Sequence, residues 1–120
     1  MTQQALLLVD HGSRRAEANE NLLHAAEAVR ECAPDLPVFA AHMELAEPTI
    51  AEAFAQCAAA GAEEVIVFPW FLARGRHVRE DIPRLCAEAA EAHGLRHRVA
   101  EPFGVHRLLA ELALERAGLR

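Results

Sequence analysis

The chain has 120 residues, 52% of them hydrophobic, and carries a formal net charge of −6. This length suits one domain, residues 1–120, with a small core, and the acidic balance argues against non-specific nucleic-acid binding, which needs a basic face. Residues 1–4 lack the features of a secretion signal, and no later run approaches the ~20 apolar residues that cross a bilayer. We therefore expect a cytoplasmic protein that binds neither nucleic acid nor membrane.

Continuous apolar runs, in which polar and apolar residues do not alternate, are followed in turn by segments with helical periodicity. This arrangement is typical of parallel strands covered on both faces. We predict an α/β fold with a four-stranded parallel sheet and flanking helices. In chain order the predicted elements are a strand at 5–9, a helix at 16–32, a strand at 38–43, a helix from Pro48 to Gly61, a strand at 64–70, a helix through Asp81 and Pro83 to His93, a strand at 95–100 and a helix at 105–117.

Several details of the helices follow from residue type. Pro48 is expected at the first-turn position of its helix, where proline loses no hydrogen bond, and Asp81 is expected to cap the next one. The first helix is predicted to bury Leu22, Leu23, Ala26 and Val29, and the last helix to bury Leu108, Leu109 and Leu112. Cys32, Cys57 and Cys86 are odd in number, far apart and set in alanine-rich helices, so we expect buried thiols and no disulfide.

Three side chains that can bind metal recur at even spacing. His11, Glu44 and His77 each follow an apolar run, and 33 residues separate each from the next. That interval is about one strand plus one helix, so each residue is predicted to lie where a strand ends, at the edge of the sheet where ligands bind. Two imidazoles and a carboxylate suit a divalent ion such as cobalt, iron, nickel or zinc, and three protein ligands leave coordination positions open for chemistry.

Basic and aromatic residues surround these positions. Five arginines fall in the predicted loops after the first and third strands: Arg14, Arg15, Arg74, Arg76 and Arg79. An acidic protein with a locally basic opening suits a polyanionic ligand, and the adjacent Trp70, Phe71 and Leu72 suggest a partly apolar surface for a ligand or a partner subunit. The segments 45–48 and 99–102 share the residues Ala-Glu-Pro, which places Glu101 near the same edge.

These motifs resemble the small CbiX-type class II chelatases, which insert a divalent metal into sirohydrochlorin. The resemblance lies in the segments 10–14, 44–50, 68–72 and 77–83, and in weaker form in 102–106, so it covers nearly the whole chain. It implies a Rossmann-like, chelatase-like half-module that works as a homodimer, in which His11 and His77 bind metal and catalyse and Glu44 is the acidic residue beside them.

The resemblance further implies that the metal, Co²⁺ first or Fe²⁺ or Ni²⁺, is a substrate, and that no organic cofactor is needed. Sirohydrochlorin is an apolar ring edged with carboxylates, and the residues expected to bind it are Ser13, Arg14, Arg15, Trp70, Phe71, Leu72, Arg74, Gly75 and Arg76. Glu44, with one histidine released from the metal, is expected to accept the pyrrole protons.

Two other interpretations stay open. The segment 8–13 also resembles the histidine phosphatases, in which a strand-tip histidine, here His11, attacks a phosphoryl group; Asp10 stands where those enzymes have an arginine, and its charge would repel phosphate. A metal or tetrapyrrole carrier could use the same ligands without turnover, and only a rate measurement separates it from a chelatase.

Overall fold

A computed structural model describes residues 3–120, except for the side chain of His77, as a parallel β-sheet covered by helices on both faces. The strands are β1 (Gln4–Asp10), β2 (Val38–His42), β3 (Glu64–Pro69) and β4 (Arg96–Val99). The helices are α1 (Ala16–Cys32), α2 (Ile50–Ala59), α3 (Ile82–His93), which follows a π-helical turn at His77–Asp81, and α4 (Arg107–Arg116). None of the described helices is long and apolar enough to span a membrane. The predicted α/β class and the four parallel strands are confirmed.

The sheet has the strand order β2-β1-β3-β4, and all neighbours are parallel. The order puts β1 in the interior, with Asp10 level with His42 on β2 and Val9 level with Pro69 on β3. The carboxyl ends of these three strands therefore meet at one edge, and the loops that follow them emerge side by side. The polar strand β4 lies at the sheet margin.

The core forms in two layers, one on each face of the sheet. The larger layer packs α2 and α3 on the sheet through residues such as Phe54 and Ile82, and the smaller one packs Leu22 and Ala26 of α1 on Leu8. Full burial of each large side chain, such as Phe54, Ile82 or Leu22, contributes roughly 1.5–3 kcal/mol to the free energy of unfolding. The prediction for Leu23 was wrong: this side chain is 45% exposed, because the stripe of α1 that faces the sheet is narrow.

The start of α2 differs from the prediction. The helix begins at Ile50, after a capping box in which the Thr49 side chain accepts from the Glu52 N–H and the Glu52 carboxylate accepts from the Thr49 N–H. Pro48 precedes this cap instead of opening the helix, because a hydroxyl that satisfies a free N–H makes a better terminus. Asp81 does occupy the N-cap position of α3, without a side-chain cap hydrogen bond.

The last helix is not packed as predicted. No residue of α4 is buried, and Leu108 and Leu112, which were expected to point inward, are 68% and 42% exposed. Leu119, beyond the helix, is 72% exposed. The sequence pattern of an amphipathic helix is present, but residues 3–120, as far as the structure describes them, leave its leucines largely exposed.

Candidate metal and substrate site

His11 and Glu44 meet at the carboxyl edge of the sheet. His11 follows β1 directly and Glu44 lies two residues past β2, and His11 Nε2 is 3.0 Å from Glu44 Oε1. The Met43 and Glu44 N–H groups donate to the carbonyls of Asp10 and His11 at 2.9 and 3.1 Å, so strand-like pairing continues past both strands. This pairing fixes the two side chains relative to each other. Both are about half exposed, at 41% and 52%, and therefore open to a ligand.

The spacing of this pair suits a metal ion as well as a hydrogen bond. Two ligands that each lie about 2.1 Å from one ion are about 3.0 Å apart at the right angle of octahedral coordination. His11 Nδ1 is 3.2 Å from the Gly12 carbonyl oxygen, and donation there leaves the Nε2 lone pair directed at the carboxylate. In that tautomer the imidazole nitrogen and the carboxylate oxygen are two groups that can bind one cation.

Gly12 allows this approach of the two loops. Its φ is +93°, and a Cβ built there would lie 1.8 Å from the Glu44 carbonyl oxygen and 3.1 Å from the His42 Cβ. Only glycine fits, because it accepts the positive φ and leaves room for the backbone of the neighbouring loop. The glycine after His11 therefore serves the contact with Glu44 as much as the turn.

Beneath the pair lies a contact that the sequence did not reveal. His42 is 1% exposed, and its Nδ1 is 2.6 Å from Asp10 Oδ1. The His42 ring turns to the Asp10 carboxylate across the strand ladder, while Glu44 turns to His11. Asp10 and His42 are the last residues of adjacent strands, and this position indicates the contact. The sequence alone could not reveal it, because the strand order was not known.

The loop after β1 is held by a residue that the site prediction omitted. The Asn19 Oδ1 accepts from the Ser13 N–H at 3.0 Å, and the Asn19 amide donates to the Ser13 carbonyl at 2.8 Å. The Ser13 hydroxyl also accepts from the Arg15 N–H at 3.0 Å. These bonds fix the predicted substrate loop, and Arg14 and Arg15 extend from it into solvent.

A cavity of about 400 Å³ opens beside His11. Its lining is Asp10, His11, Gly12, Ser13, Ala18, Asn19, Asn21, Trp70 and Phe71. The wall formed by Trp70 is rigid, because its ring packs edge-on against Phe68 and Phe103 at centroid distances of 5.9 and 4.7 Å. The predicted apolar surface is thus split: Trp70 and Phe71 line the cavity, while Leu72 is 72% exposed outside it.

The arginines are less free than the sequence suggested. Arg74 forms a two-pronged ion pair with Glu101, whose hydrogen bond and charge raise the pKa of the guanidinium, and Arg76 pairs with Glu80 at 3.1 Å. The Gly75 carbonyl accepts from the backbone N–H of Arg79 at 3.1 Å. The basic opening is therefore partly neutralised by the chain's own carboxylates.

His77 occupies a different kind of position from the other two predicted ligands. Its backbone begins the π-helical turn, eight residues after the end of β3 and just past the loop that contains Gly75, so a loop separates it from the strand end. The His77 side chain lies outside the described residues. Among the side chains that the structure does describe, no three His, Cys, Asp or Glu residues form a metal-binding group, and His11 and Glu44 are the two predicted ligands in contact.

The cysteines do not contribute to the site. Burial raises the pKa of Cys57 from 9.0 to about 11 and that of Cys86 to about 12, so both thiols stay protonated. Cys32 was expected to be buried and is exposed, because it ends α1.

The fold and the site define a small parallel α/β protein with an imidazole and a carboxylate poised for a cation at the edge of its sheet. The chain belongs to the CbiX family, whose model matches residues 5–118. This confirms the resemblance that the sequence motifs indicated.

The relatives include short and long proteins. The chain is 44% identical over 112 residues to the chloroplastic sirohydrochlorin ferrochelatase of Arabidopsis thaliana, covering 92% of this chain and 50% of that protein. It is 34% identical over 121 residues to the sirohydrochlorin cobaltochelatase of Methanococcoides burtonii, covering 93% and 92%. The chain thus spans about half the length of the plant relative and nearly all of the archaeal one.

Two solved structures have the same fold as this chain. A CbiX protein from Marinobacter aquaeolei superimposes with a TM-score of 0.82 at 32% identity, over 96% of this chain and 94% of that one. The sirohydrochlorin chelatase SirB from Bacillus subtilis, in complex with cobalt, superimposes with a TM-score of 0.83 at 30% identity, over 98% of this chain and 50% of that one.

Proposed function

We propose that this chain inserts a divalent metal ion into sirohydrochlorin, with Co²⁺ as the first candidate and Fe²⁺ or Ni²⁺ as the others. The observation that carries the proposal is the His11–Glu44 pair, which has the spacing of two metal ligands and stands beside a cavity with an aromatic wall. Relatives named as sirohydrochlorin cobaltochelatases and ferrochelatases support both the tetrapyrrole and the metals.

In this reaction His11 and Glu44 bind the hydrated ion, and His77 supplies a further ligand. Insertion exchanges the ion for two protons of the pyrrole nitrogens, so the site must accept protons as the metal leaves it. Glu44 takes one proton when its oxygen is released from the metal, and a histidine freed in the same step takes the other. Because Glu44 is about half exposed, it can pass its proton to solvent.

The substrate ring lies against Trp70, whose ring is held edge-on by Phe68 and Phe103, and against Phe71. Its peripheral carboxylates bind the exposed guanidinium groups and the loop N–H groups. The residues proposed for this contact are Ser13, Arg14, Arg15, Leu72, Arg74, Gly75 and Arg76. Arginine suits the task because its planar fork matches a carboxylate.

We propose a second copy of this chain as the partner that covers α4. Leu108, Leu112 and Leu119 leave an apolar stripe exposed along the helix and the residues that follow it. SirB and the plant relative are about twice as long as this chain, which supports a pair of such modules as the working unit. A homodimer of residues 1–120, each acting as one domain, is the corresponding arrangement here.

The cytoplasmic location stays a prediction from the sequence. The Arabidopsis relative is named as chloroplastic, so membership of this family does not by itself indicate the cytoplasm.

The test is metal insertion under anaerobic conditions. Wild-type protein, His11→Ala, Glu44→Gln and the control His24→Ala, an exposed histidine on α1, are each mixed with sirohydrochlorin and Co²⁺, Fe²⁺ or Ni²⁺, and the absorbance change is followed. We expect acceleration by the wild type and the control, and a loss of roughly 100-fold or more in the two site variants.

Two results would contradict the proposal. Tight binding of metal or tetrapyrrole without acceleration over the protein-free rate would make the protein a carrier. Full activity of a folded His11→Ala variant would remove His11 from the mechanism.

A phosphatase is disfavoured by Asp10, which lines the cavity beside His11 and whose negative charge would repel phosphate.

A further inference from the structure

A second cleft of about 400 Å³ lies at the β3–β4 side of the same edge. Its lining is Arg74, Val78, Arg79, Pro83, Val99, Ala100 and Glu101, and none of these residues lines the cavity beside His11. Two guanidinium groups and one carboxylate thus stand on apolar walls. This composition suits a ligand that presents a carboxylate on an apolar frame.

The carboxylate already present belongs to the protein. Glu101 accepts from both Arg74 Nε, at 2.6 Å, and the terminal nitrogen of the same guanidinium, which is the geometry of a bidentate carboxylate complex. Both side chains are more than half exposed, at 58% and 66%. An ion pair that is this exposed to solvent is weak, so a competing carboxylate can displace Glu101.

Arg79 provides a second positive charge in the cleft. It is exposed, and among the described residues it forms no ion pair. When Glu101 leaves Arg74, the cleft holds two uncompensated guanidinium groups, which is an attractive local field in a protein of net charge −6.

The backbone around Glu101 is fixed, so the exchange needs only a side-chain rotation. The Phe103 N–H donates to the Phe71 carbonyl at 3.0 Å, and the Gly104 N–H donates to the Leu72 carbonyl at 2.8 Å. The Phe103 ring also packs on Trp70. These contacts join the Glu101 loop to the aromatic wall of the His11 cavity, so one ligand that spans this edge can contact both the cavity and the cleft.

We propose that Glu101 acts as an internal substitute for a substrate carboxylate. It occupies the Arg74 fork in the free protein and gives it up to a peripheral carboxylate of the tetrapyrrole, which Arg79 also contacts. This inference rests on the proposed function and makes Glu101 a specificity-determining residue. A ligand without carboxylates cannot displace Glu101 and finds the cleft closed.

The test measures binding of metal-free sirohydrochlorin, together with KM and kcat for insertion. In Glu101→Gln we expect Kd and KM to fall about three- to fivefold at unchanged kcat, because the competitor has lost its charge. In Arg74→Ala we expect Kd to rise about tenfold, and adding Glu101→Gln in that background should change nothing further. The fully esterified tetrapyrrole should bind wild type and Glu101→Gln equally.

The control is Glu63→Gln, which removes the same charge from an exposed residue at the amino end of β3. An equal gain in this control, or a gain from Glu101→Gln that persists without Arg74, would make the effect one of net charge and overturn the proposal. Unchanged or weaker binding by Glu101→Gln, with active wild type, would overturn it while leaving the chelatase function intact. Wild type that neither binds nor metallates sirohydrochlorin would overturn both.

Discussion

His42 and Asp10 form a part-buried polar contact at the strand ends that precede the exposed His11–Glu44 pair. The His42 ring is 1% exposed, and its Nδ1 lies 2.6 Å from Asp10 Oδ1. The two residues are level on adjacent parallel strands, so the contact joins the carboxyl ends of β1 and β2. It thereby fixes the platform from which His11 and Glu44 project.

Removal of the His42 ring should destabilise the protein strongly. His42→Ala leaves a cavity and deprives the Asp10 carboxylate of its partner, so we expect a loss of about 2–4 kcal/mol in the free energy of unfolding. Urea denaturation measures this loss, with His24→Ala as the control that should stay within about 0.5 kcal/mol of wild type. A His42→Ala variant as stable as the control would show that the contact contributes little.

Two glycines with positive φ allow the cost of backbone strain to be measured apart from the cost of steric overlap. Gly12 and Gly94 have φ values of +93° and +64°, but only at Gly12 would a Cβ meet other atoms. Gly94→Ala should therefore cost about 1 kcal/mol, while Gly12→Ala should cost more than about 3 kcal/mol or displace the Glu44 loop. Thermal unfolding of both variants, with insertion rates, distinguishes the two effects; equal costs would contradict the geometry at Gly12.

The buried thiols should make the protein less stable at high pH. Their pKa values are about 11 and 12 in the folded protein against 9.0 in the unfolded chain, so above pH 9 the unfolded state loses protons that the folded state keeps. The stabilisation present below pH 9 is therefore lost progressively up to about pH 12. Urea midpoints between pH 8 and pH 10.5 should fall, and Cys86→Ala should show a smaller fall although its stability at pH 8 is lower.

Trp70 should report tetrapyrrole binding by its own fluorescence. It is the one tryptophan of the chain and lines the cavity beside His11, so a bound ring that absorbs near its emission should quench it. We expect strong, saturable quenching on addition of sirohydrochlorin without metal. Trp70→Phe should lose the signal while the ligand's absorbance still shows binding. Binding detected by absorbance with unchanged wild-type emission would place the ring elsewhere.

The apolar stripe of α4 should control association. Leu108→Glu places a charge in the proposed dimer contact, where it would lose its water, so we expect monomers in sedimentation analysis of a protein that is otherwise dimeric. Leu23→Glu, at a comparably exposed leucine of α1, should leave the association unchanged. If Leu108→Glu still dimerises, the interface lies on another surface.

Local sequence patterns predicted the bounds of some elements correctly but not the packing of others. The bounds of α1 were predicted correctly, because period and composition agree from Ala16 and the prolines after Cys32 prevent continuation. The burial of α4 was predicted wrongly. An apolar stripe indicates that another surface packs on a helix, but it does not indicate whether that surface belongs to the same chain. The contact between Asp10 and His42 was missed, because it depends on strand order, and hydrophobic periodicity carries no information about which strands are neighbours.

The interior position of β1 affects the order of events during synthesis. β1 and His11 are synthesised before both neighbours of that strand, β2 and β3. The His11–Glu44 pair cannot form before β2 is complete, and the aromatic wall must wait for β3 and for Phe103 beyond β4. Under the proposed function, a partly synthesised chain therefore lacks the paired ligands, and metal binding begins only with the finished sheet.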